Sequence, residues 1–306
     1  MNIPALIEKM LVLFFAIAAG FVCGKTKVLD DSANRAISKL VVKLTSPMLT
    51  LSSVMGKAHL LSNREVLMLT GIAFLLYGTN ILLSCPVVRL LHGAPEDTGL
   101  MRFLFIFCNM SYVGYPIVQA LFGADASFYV TVFILCSQLF SWSYGVHLVS
   151  GHGKFYLHWS ILKNPCILAS LTAYTIYLTG FEVPAVVAAS CSFVGQCTSP
   201  LIMFITGCAL SLMPLKQVFT NWRLYALFGC KMILVPLLAF ALLHNLISNQ
   251  LILGIVIVAL CMPTATNATN ISYLYGGNHA LASSGVMIST LLSMVTIPLM
   301  MQLLFG

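Results

Sequence analysis

Residues 108–116 read CNMSYVGYP and lie in the middle of an apolar run, with MRFLFIF (101–107) before them and IVQALFG (117–123) after them. A run of this length can cross the hydrocarbon core of a bilayer as a helix, since about 20 residues are enough. An unsatisfied backbone group inside that core costs several kcal/mol. Asn, Ser, Gly and Pro at the centre of the run therefore indicate a helix break whose polar groups must be satisfied inside the protein.

The composition is that of an integral membrane protein. Of the 306 residues, 59% are hydrophobic and only 8% are charged, and the mean hydropathy is +0.98, whereas soluble domains carry about 25% charged residues. The ten cysteines show no CxxC spacing, so we interpret them as small apolar residues. The seven histidines show no metal-ligand spacing, and we predict neither a metal nor a cofactor.

The apolar runs divide the chain into ten predicted membrane spans joined by short loops. They cover 4–23, 35–55, 65–91, 100–122, 126–149, 160–179, 184–212, 222–244, 250–275 and 280–304. The first 25 residues lack the basic start and the cleavage site of a signal peptide, so we expect them to be retained as span 1. We number the spans 1 to 10 in this order.

The distribution of Lys and Arg predicts the orientation. One set of alternate loops holds nine of them, and the other set holds only Lys57 and Arg64. The nine are Lys25, Lys27, Arg35, Arg89, Arg102, Lys154, Lys163, Lys216 and Arg223. By the positive-inside rule the first set is cytoplasmic, including the loop with His152 and Lys154, and both termini face outward. No basic domain is left for nucleic acid, and we predict none as a partner.

The two halves of the chain match when the sequence is shifted by 153 residues. The shift places Thr45-Ser46-Pro47 on Thr198-Ser199-Pro200, Cys108 on Cys261, Leu121 on Leu274, and Gly123 on Gly276. Five spans per half is an odd number, so the second copy is inverted in the membrane, as in many secondary transporters. We therefore predict two inverted five-helix repeats, 1–153 and 154–306, with Pro47 and Pro200 at matching places in spans 2 and 7.

The polar break recurs in the second repeat, where NMSYVGYP (109–116) falls on MPTATNAT (262–269). Irregular backbone at membrane depth is tolerated where it is buried in protein or lines a polar cavity. We predict that the backbone is non-helical at 111–116 and 263–267, and that these stretches approach each other at mid-membrane. The alternative is a pair of packed kinks that bind no ligand.

Each break can start a half-helix whose free N–H groups and positive dipole end suit an anion. The residues predicted to bind it are Asn109, Ser111, Gly114, Pro116, Pro263, Thr264, Thr266, Asn267 and Lys231. Asn109 and Asn267 offer amide donors for a carboxylate, or else only satisfy freed backbone groups. Arg35, Lys39 and Lys43 form a basic stripe on span 2, which either draws in anions or extends its ends to the membrane surface.

Lys231 is the most informative charge. It lies nine residues after Trp222, roughly 13 Å into span 8, and charges at such depth are functional by default. The interiors of spans 2 to 10 hold no carboxylate partner for it. Its ammonium either faces an anionic substrate or ties the crossover together at the carbonyl end of a half-helix. In the first arrangement, neutralising Lys231 weakens anion binding.

The motifs resemble those of the auxin efflux carrier family from end to end. GFVCGKTKVLDDSANRAISKLVVKLTSPMLTLSSV (20–54) is similar to that family's helix 1 to 2 segment, with its proline at Pro47. NMSYVGYP is similar to the N-x-x-x-x-G-x-P crossover, and FGCKMILVPLL (228–238) to the K-x-x-x-x-P element at Lys231 and Pro236. MPTATNATNISYLYGGNHALASSGVMISTLLS (262–293) is similar to the helix 9 to 10 segment. The short central loop indicates a prokaryotic-type member.

The resemblance implies a scaffold of spans 1, 2, 6 and 7, often dimeric, and a transport domain of spans 3 to 5 and 8 to 10 that moves as an elevator. It implies a carrier of small organic anions, such as malate-like or auxin-like acids, in the cell membrane. A sodium-coupled symporter of the bile-acid type and a receptor or scaffold without flux remain alternatives. No mid-span His lies beside a candidate nucleophile, so we predict that the protein is not an enzyme.

Overall fold

The computed structural model describes residues 3–55, 62–123, 126–151, 163–212, 215–247 and 249–305. Within these ranges the backbone is nearly all helical, and extended pairing is confined to one antiparallel bridge between Cys108 and Thr264. This agrees with an all-α membrane protein. The loop with His152 and Lys154, and Lys57 on the opposite side, lie outside the described residues.

The described part of the first half contains eight α-helices, some of them separated only by a wide π-helical turn. They are α1 (Ile3–Lys25), α2 (Asp31–Leu40), α3 (Ser46–Ser52), α4 (Asn63–Leu90), α5 (Thr98–Ile106), α6 (Tyr115–Phe122), α7 (Ala126–Phe140) and α8 (Val146–Ser150). The π-helical turns are Val41–Thr45, Met110–Gly114 and Ser141–Gly145.

The second half continues with the described helices α9 to α17. They are α9 (Pro165–Thr179), α10 (Ala185–Gln196), α11 (Thr198–Ser211), α12 (Leu215–Thr220), α13 (Trp222–Gly229), α14 (Val235–Leu243), α15 (Gln250–Cys261), α16 (Asn267–Tyr275) and α17 (His279–Phe305). A π-helical turn, Cys230–Leu234, joins α13 to α14.

Helical residues occupy every predicted span. In the described part of the chain, five helices are long and apolar enough to cross a membrane. They are Arg64–Leu90, Tyr129–Ser150, Ala185–Ser211, Trp222–Leu243 and His279–Phe305. Local signals set the helix ends: α4 begins at a capping box in which the Ser62 hydroxyl accepts from the Glu65 N–H and the Glu65 carboxylate accepts from the Ser62 N–H.

The first predicted break is displaced from 111–116. The non-helical residues are Phe107 to Asn109, and the chain is helical again from Met110 onward. Gly114 therefore ends the π-helical turn that follows the break, and Pro116 lies in the first turn of α6, where its missing N–H is not needed. The second predicted break is nearly correct: 262–266 are non-helical, and α16 begins at Asn267.

Three of the π-helical turns end two residues before a proline, at Pro47, Pro116 and Pro236. In a regular helix a proline ring clashes with the carbonyl four residues earlier. The wider turn avoids this clash while keeping the backbone bonded. Its bonds reach back five residues, from the Ser46 N–H to the Val41 carbonyl and from the Gly114 N–H to the Asn109 carbonyl.

Close packing of α1 against α11 brings two backbones into contact. A Cβ added at Gly20 would clash with the backbone of Phe204, and one added at Gly207 would clash with the carbonyl of Ile17 and the N–H of Phe21. Small residues such as glycine let membrane helices approach this closely. The contact fixes the first helix of the chain against the middle of the second half.

Candidate functional site

Two interrupted helices cross at the bridge between Cys108 and Thr264. The chain leaves α5 at Phe107 and leaves α15 at Met262, and the two extended pieces run antiparallel. The Asn109 N–H donates to the Pro263 carbonyl at 2.9 Å, and the Ala265 N–H donates to the Phe107 carbonyl at 3.1 Å. Each break thus satisfies backbone groups of the other, as buried backbone requires.

Lys231 holds this crossover from the π-helical turn of the α13–α14 segment. Its side chain is 5% exposed, and its ammonium donates to the Leu104 carbonyl at 2.8 Å and the Phe107 carbonyl at 2.7 Å. Both acceptors belong to the carboxyl end of α5, the negative end of the helix dipole. Of the two predicted arrangements, the geometry is that of a lysine bonded to the carbonyl end of a half-helix.

The Phe107 carbonyl is the shared acceptor of the crossover. Besides Lys231 and Ala265, the Thr264 hydroxyl donates to it at 3.3 Å. Lys231, Tyr77, Asn80 and Cys108 also line a small cavity of about 20 Å³, which is room for about one water molecule. The charge of Lys231 therefore lies in a tightly filled region.

The start of α16 has buried polar atoms without partners among the described residues. Thr266 precedes the helix and makes no capping bond with its side chain. The Thr266 hydroxyl, the Asn267 amide oxygen, both amide atoms of Asn270 and the Ser272 hydroxyl are all buried and unpaired. Leaving such a group unpaired costs about 1–3 kcal/mol, and these groups lie along a helix whose positive end meets the crossover.

Polar residues of α2 and α11 pack against α16. The Asn34 amide donates to the Tyr273 hydroxyl at 3.2 Å, while the Asn34 amide oxygen and the hydroxyls of Ser38 and Thr198 are buried and unpaired in the described part of the chain. Asn34 therefore brings unused hydrogen-bonding capacity to the interface between α2 and α16.

The structure brings several of the sequence-predicted residues together. Asn109, Pro263 and Thr264 form the bridge, Thr266 and Asn267 start α16, and Lys231 holds α5 beside them. Ser111 and Gly114 lie in the π-helical turn that follows. Pro116 lies in α6, and its side chain is outside the described part. Pro47 and Pro200 lie in the first turns of α3 and α11.

Sequence reasoning missed four contributors: the Leu104 and Phe107 carbonyls, Asn270, and Ser289, whose hydroxyl accepts from the Thr264 N–H at 3.2 Å. The two carbonyls leave no trace in side-chain identity. Asn270 could have been found, because it continues the polar stretch that begins at Pro263. No group of three His, Cys, Asp or Glu in the described residues could hold a metal ion.

Comparison with known proteins also indicates a membrane transport protein. A family model described as membrane transport protein matches residues 5–158 and 153–301. An uncharacterized transporter of Methanocaldococcus jannaschii is 23% identical over 95% of this chain and 96% of its own length. A second, from Methanothermobacter thermautotrophicus, is 23% identical over 95% of this chain and 96% of its own.

A third relative, from Rhizobium meliloti, is named "Putative malonate transporter". It is 28% identical over 45% of this chain and 42% of its own length. The family match covers nearly the whole sequence and agrees with the apolar helices and the crossed breaks described above. The chain belongs to the auxin efflux carrier family of membrane transport proteins.

Proposed function

We propose that this protein is a secondary carrier of small organic anions, with malate-like, malonate-like and auxin-like carboxylates as the substrate class. The observation that carries the proposal is the unpaired, buried polar start of α16 beside the crossed breaks. A helix N-terminus stabilises an anion through its free N–H groups and its dipole. The amides of Asn267 and Asn109 would orient the carboxylate, and Thr266 would add a hydroxyl donor.

Lys231 has a structural role in this site. By holding the carbonyl end of α5, it keeps a negative dipole end from facing the anion. The Thr264 hydroxyl donates to the Phe107 carbonyl, and the Ser289 hydroxyl accepts from the Thr264 N–H, so both bonds hold the second break in place. The backbone of the crossed breaks thus shapes the anion site, and the side chains of Lys231, Thr264 and Ser289 hold that backbone in position.

The proposed carrier crosses the membrane ten times as two inverted repeats, 1–153 and 154–306. Two observations support the repeat. Gly123 and Gly276, which match at the 153-residue shift, both have a positive φ just after a half-helix, at 88° and 82°. Helix α1 packs on α11, and α9 packs on α3, which is the reciprocal pairing expected of two-fold related halves.

Transport would proceed by an elevator motion. Spans 3 to 5 and 8 to 10 would carry the crossover past a scaffold of spans 1, 2, 6 and 7, and the scaffold would form a homodimer. The interface between α16 and the helices α2 and α11 lies on this proposed boundary. It contains unpaired polar atoms, which supports a surface whose hydrogen-bond partners change as the transport domain moves. Both termini would be outside the cell membrane, so a Lys154→Cys variant labelled by an impermeant reagent from outside would contradict this orientation.

Sodium coupling is a second candidate, favoured by one observation. The unpaired oxygens of Thr266, Asn267 and Asn270 are hard ligands of the kind that alkali and alkaline-earth cations prefer. Asn270 is four residues after Thr266 and three after Asn267, the spacing at which side chains on neighbouring helical turns can meet.

The test is uptake into proteoliposomes of labelled malonate, malate and indole-3-acetate, with and without gradients of Na⁺ and pH. Uptake of a carboxylate above that of protein-free liposomes supports the carrier. A strict requirement for Na⁺ selects the symporter, and binding without uptake of any of the three selects a receptor.

A further inference from the structure

A second cavity, separate from the crossover, lies where four parts of the chain meet. Its volume is about 590 Å³, and its walls come from α2 and the following turn, from the α7–α8 segment, from the start of α9 and from the end of α16. The residues that matter here are Lys39, Lys43, Lys163, Trp142 and Tyr275. It shares no lining residue with the small cavity beside Lys231.

The cavity is strongly cationic. Lys39 and Lys43 are one helical turn apart, about 6 Å along the axis, and Lys163, the residue before the N-cap of α9, lines the same cavity. None of the three has an ion pair or a hydrogen bond in the described part of the chain, whereas Arg35, one turn earlier, pairs with Asp31 at 3.7 Å. The sequence holds no Asp or Glu from 126 to 181, nor after 182.

Aromatic and apolar walls complete the cavity. Trp142 is 2% exposed, and its indole N–H donates to Gln138 at 2.9 Å, which fixes the ring in the wall. Tyr275 adds a second aromatic side chain to the lining. Small-molecule sites commonly have about 300–1,000 Å³ and combine apolar walls with a few charged groups. Three ammonium groups in one such cavity suit an organic anion with two or more negative charges.

Helix α16 connects this cavity to the crossover. Its carboxyl end, Tyr275, lines the cavity, and its amino end, Asn267, lies at the crossed breaks, about 12 Å away along the helix axis. The unpaired polar atoms of Asn270 and Ser272 lie between them.

We propose that the cavity formed by Lys39, Lys43 and Lys163 is an anion-binding vestibule that collects dicarboxylates and selects them over monocarboxylates before they reach the crossover. This inference rests on the proposed carrier function and deepens it by naming the charge class of the substrate. The positive-inside rule puts the vestibule on the cytoplasmic side.

Trp142 provides a local test that does not depend on transport. Replacing Trp159 and Trp222 by Phe leaves Trp142 as the only tryptophan. The purified full chain in phosphatidylcholine nanodiscs is titrated with malonate and, at equal ionic strength, with acetate. We expect a saturable change in Trp142 emission with malonate and at least tenfold weaker binding of acetate. Lys39→Gln combined with Lys43→Gln weakens malonate binding at least tenfold, and the exposed control Arg64→Gln changes it less than twofold.

Three results would overturn the vestibule. They are no saturable response to malonate, equal affinities for malonate and acetate, or a response lost when phosphatidylglycerol replaces part of the lipid, which would identify a lipid headgroup as the occupant. Malonate uptake into proteoliposomes without a Trp142 response would refute the vestibule and leave the carrier standing. A Trp142 response without uptake of any carboxylate would refute the carrier and with it the vestibule's role in transport. Thermal shift confirms that each variant is folded.

Discussion

The ammonium of Lys231 donates a 2.7 Å hydrogen bond to the main-chain carbonyl of Phe107, a residue 124 positions earlier in the chain. That carbonyl also accepts from the Ala265 N–H and the Thr264 hydroxyl. One backbone oxygen thus joins three parts of the chain: the end of α5, the α13–α14 segment and the second break. The crossover depends on this atom more than on any one side chain.

Replacing Lys231 by Met should therefore destabilise the fold more than it weakens anion binding. The change leaves the Leu104 and Phe107 carbonyls without their charged donor, at a cost of about 1.5–3 kcal/mol for a hydrogen bond to a charged group. Lys231→Gln, which keeps donors but loses the charge, should fall between Met and wild type. Melting of the purified protein in detergent measures the effect, with Arg64→Gln as the exposed control.

This structural role of Lys231 would be contradicted if the Lys231→Met protein melted like wild type but bound the best carboxylate more than tenfold less tightly. The ammonium would then face the anion directly.

A Thr264→Cys variant should form a disulfide with Cys108. The two residues are opposite each other in a bridge flanked by hydrogen bonds, the antiparallel position in which Cα atoms are about 4.5 Å apart, within the range a disulfide needs. Peptide mapping after mild oxidation should recover the cross-linked pair. Ser289→Cys under the same conditions is the control. No cross-link to Cys108, or an equal yield with the control, would mean that the two breaks are not paired as described.

An all-helical membrane protein could be predicted from the sequence because long apolar runs leave few alternatives, and the polar stretches at 108–116 and 262–269 indicated two helix breaks. The position of the first break was wrong by several residues. Gly114 and Pro116 are visible in the sequence, but they lie after the break, where the π-helical turn passes into α6. The break itself is set at Phe107 by hydrogen bonds to Ala265 and Lys231, and no local pattern reports such distant partners.

The site could be predicted only in part, because its side chains can be read from the sequence and their distant partners cannot. Polar side chains in an apolar run, such as Asn109 and Asn267, can be recognised by residue type. The depth of Lys231 could be counted from Trp222, and its two possible roles could be stated. Which role the geometry adopts depends on where the carbonyl end of α5 lies, and that is a property of the tertiary structure.

Packing of α1 on α11 predicts a sharp difference between two glycines. Gly207→Val should be strongly destabilising, because the new side chain meets the backbone of Ile17 and Phe21, and overpacking of this kind costs about 1–3 kcal/mol or more. Gly71→Val is the matched control, since a Cβ there has nothing within 4 Å. Yield of monodisperse protein and melting temperature are measured side by side. Equal behaviour of the two variants would show that the helices are not in backbone contact.

Asn267→Ala separates binding from stability at the start of α16. The amide oxygen of Asn267 is buried and has no partner in the described residues, so the protein without substrate loses little when it is removed. If the amide N–H of Asn267 donates to a carboxylate, the variant loses a hydrogen bond to a charged group of about 1.5–3 kcal/mol, which is roughly a tenfold to over a hundredfold weaker Kd. The melting temperature without ligand should be unchanged or higher, while the rise in melting temperature caused by saturating carboxylate should be smaller than in wild type.

The control for this variant is Thr175→Ala, which removes an exposed hydroxyl from α9. It should change neither the Kd nor the response to ligand. Asn109→Ala, on the other strand of the crossover, should weaken binding within the same range. If Asn267→Ala instead lowers the melting temperature and leaves the affinity of the folded protein unchanged, the amide serves the backbone of the break, and the anion binds elsewhere.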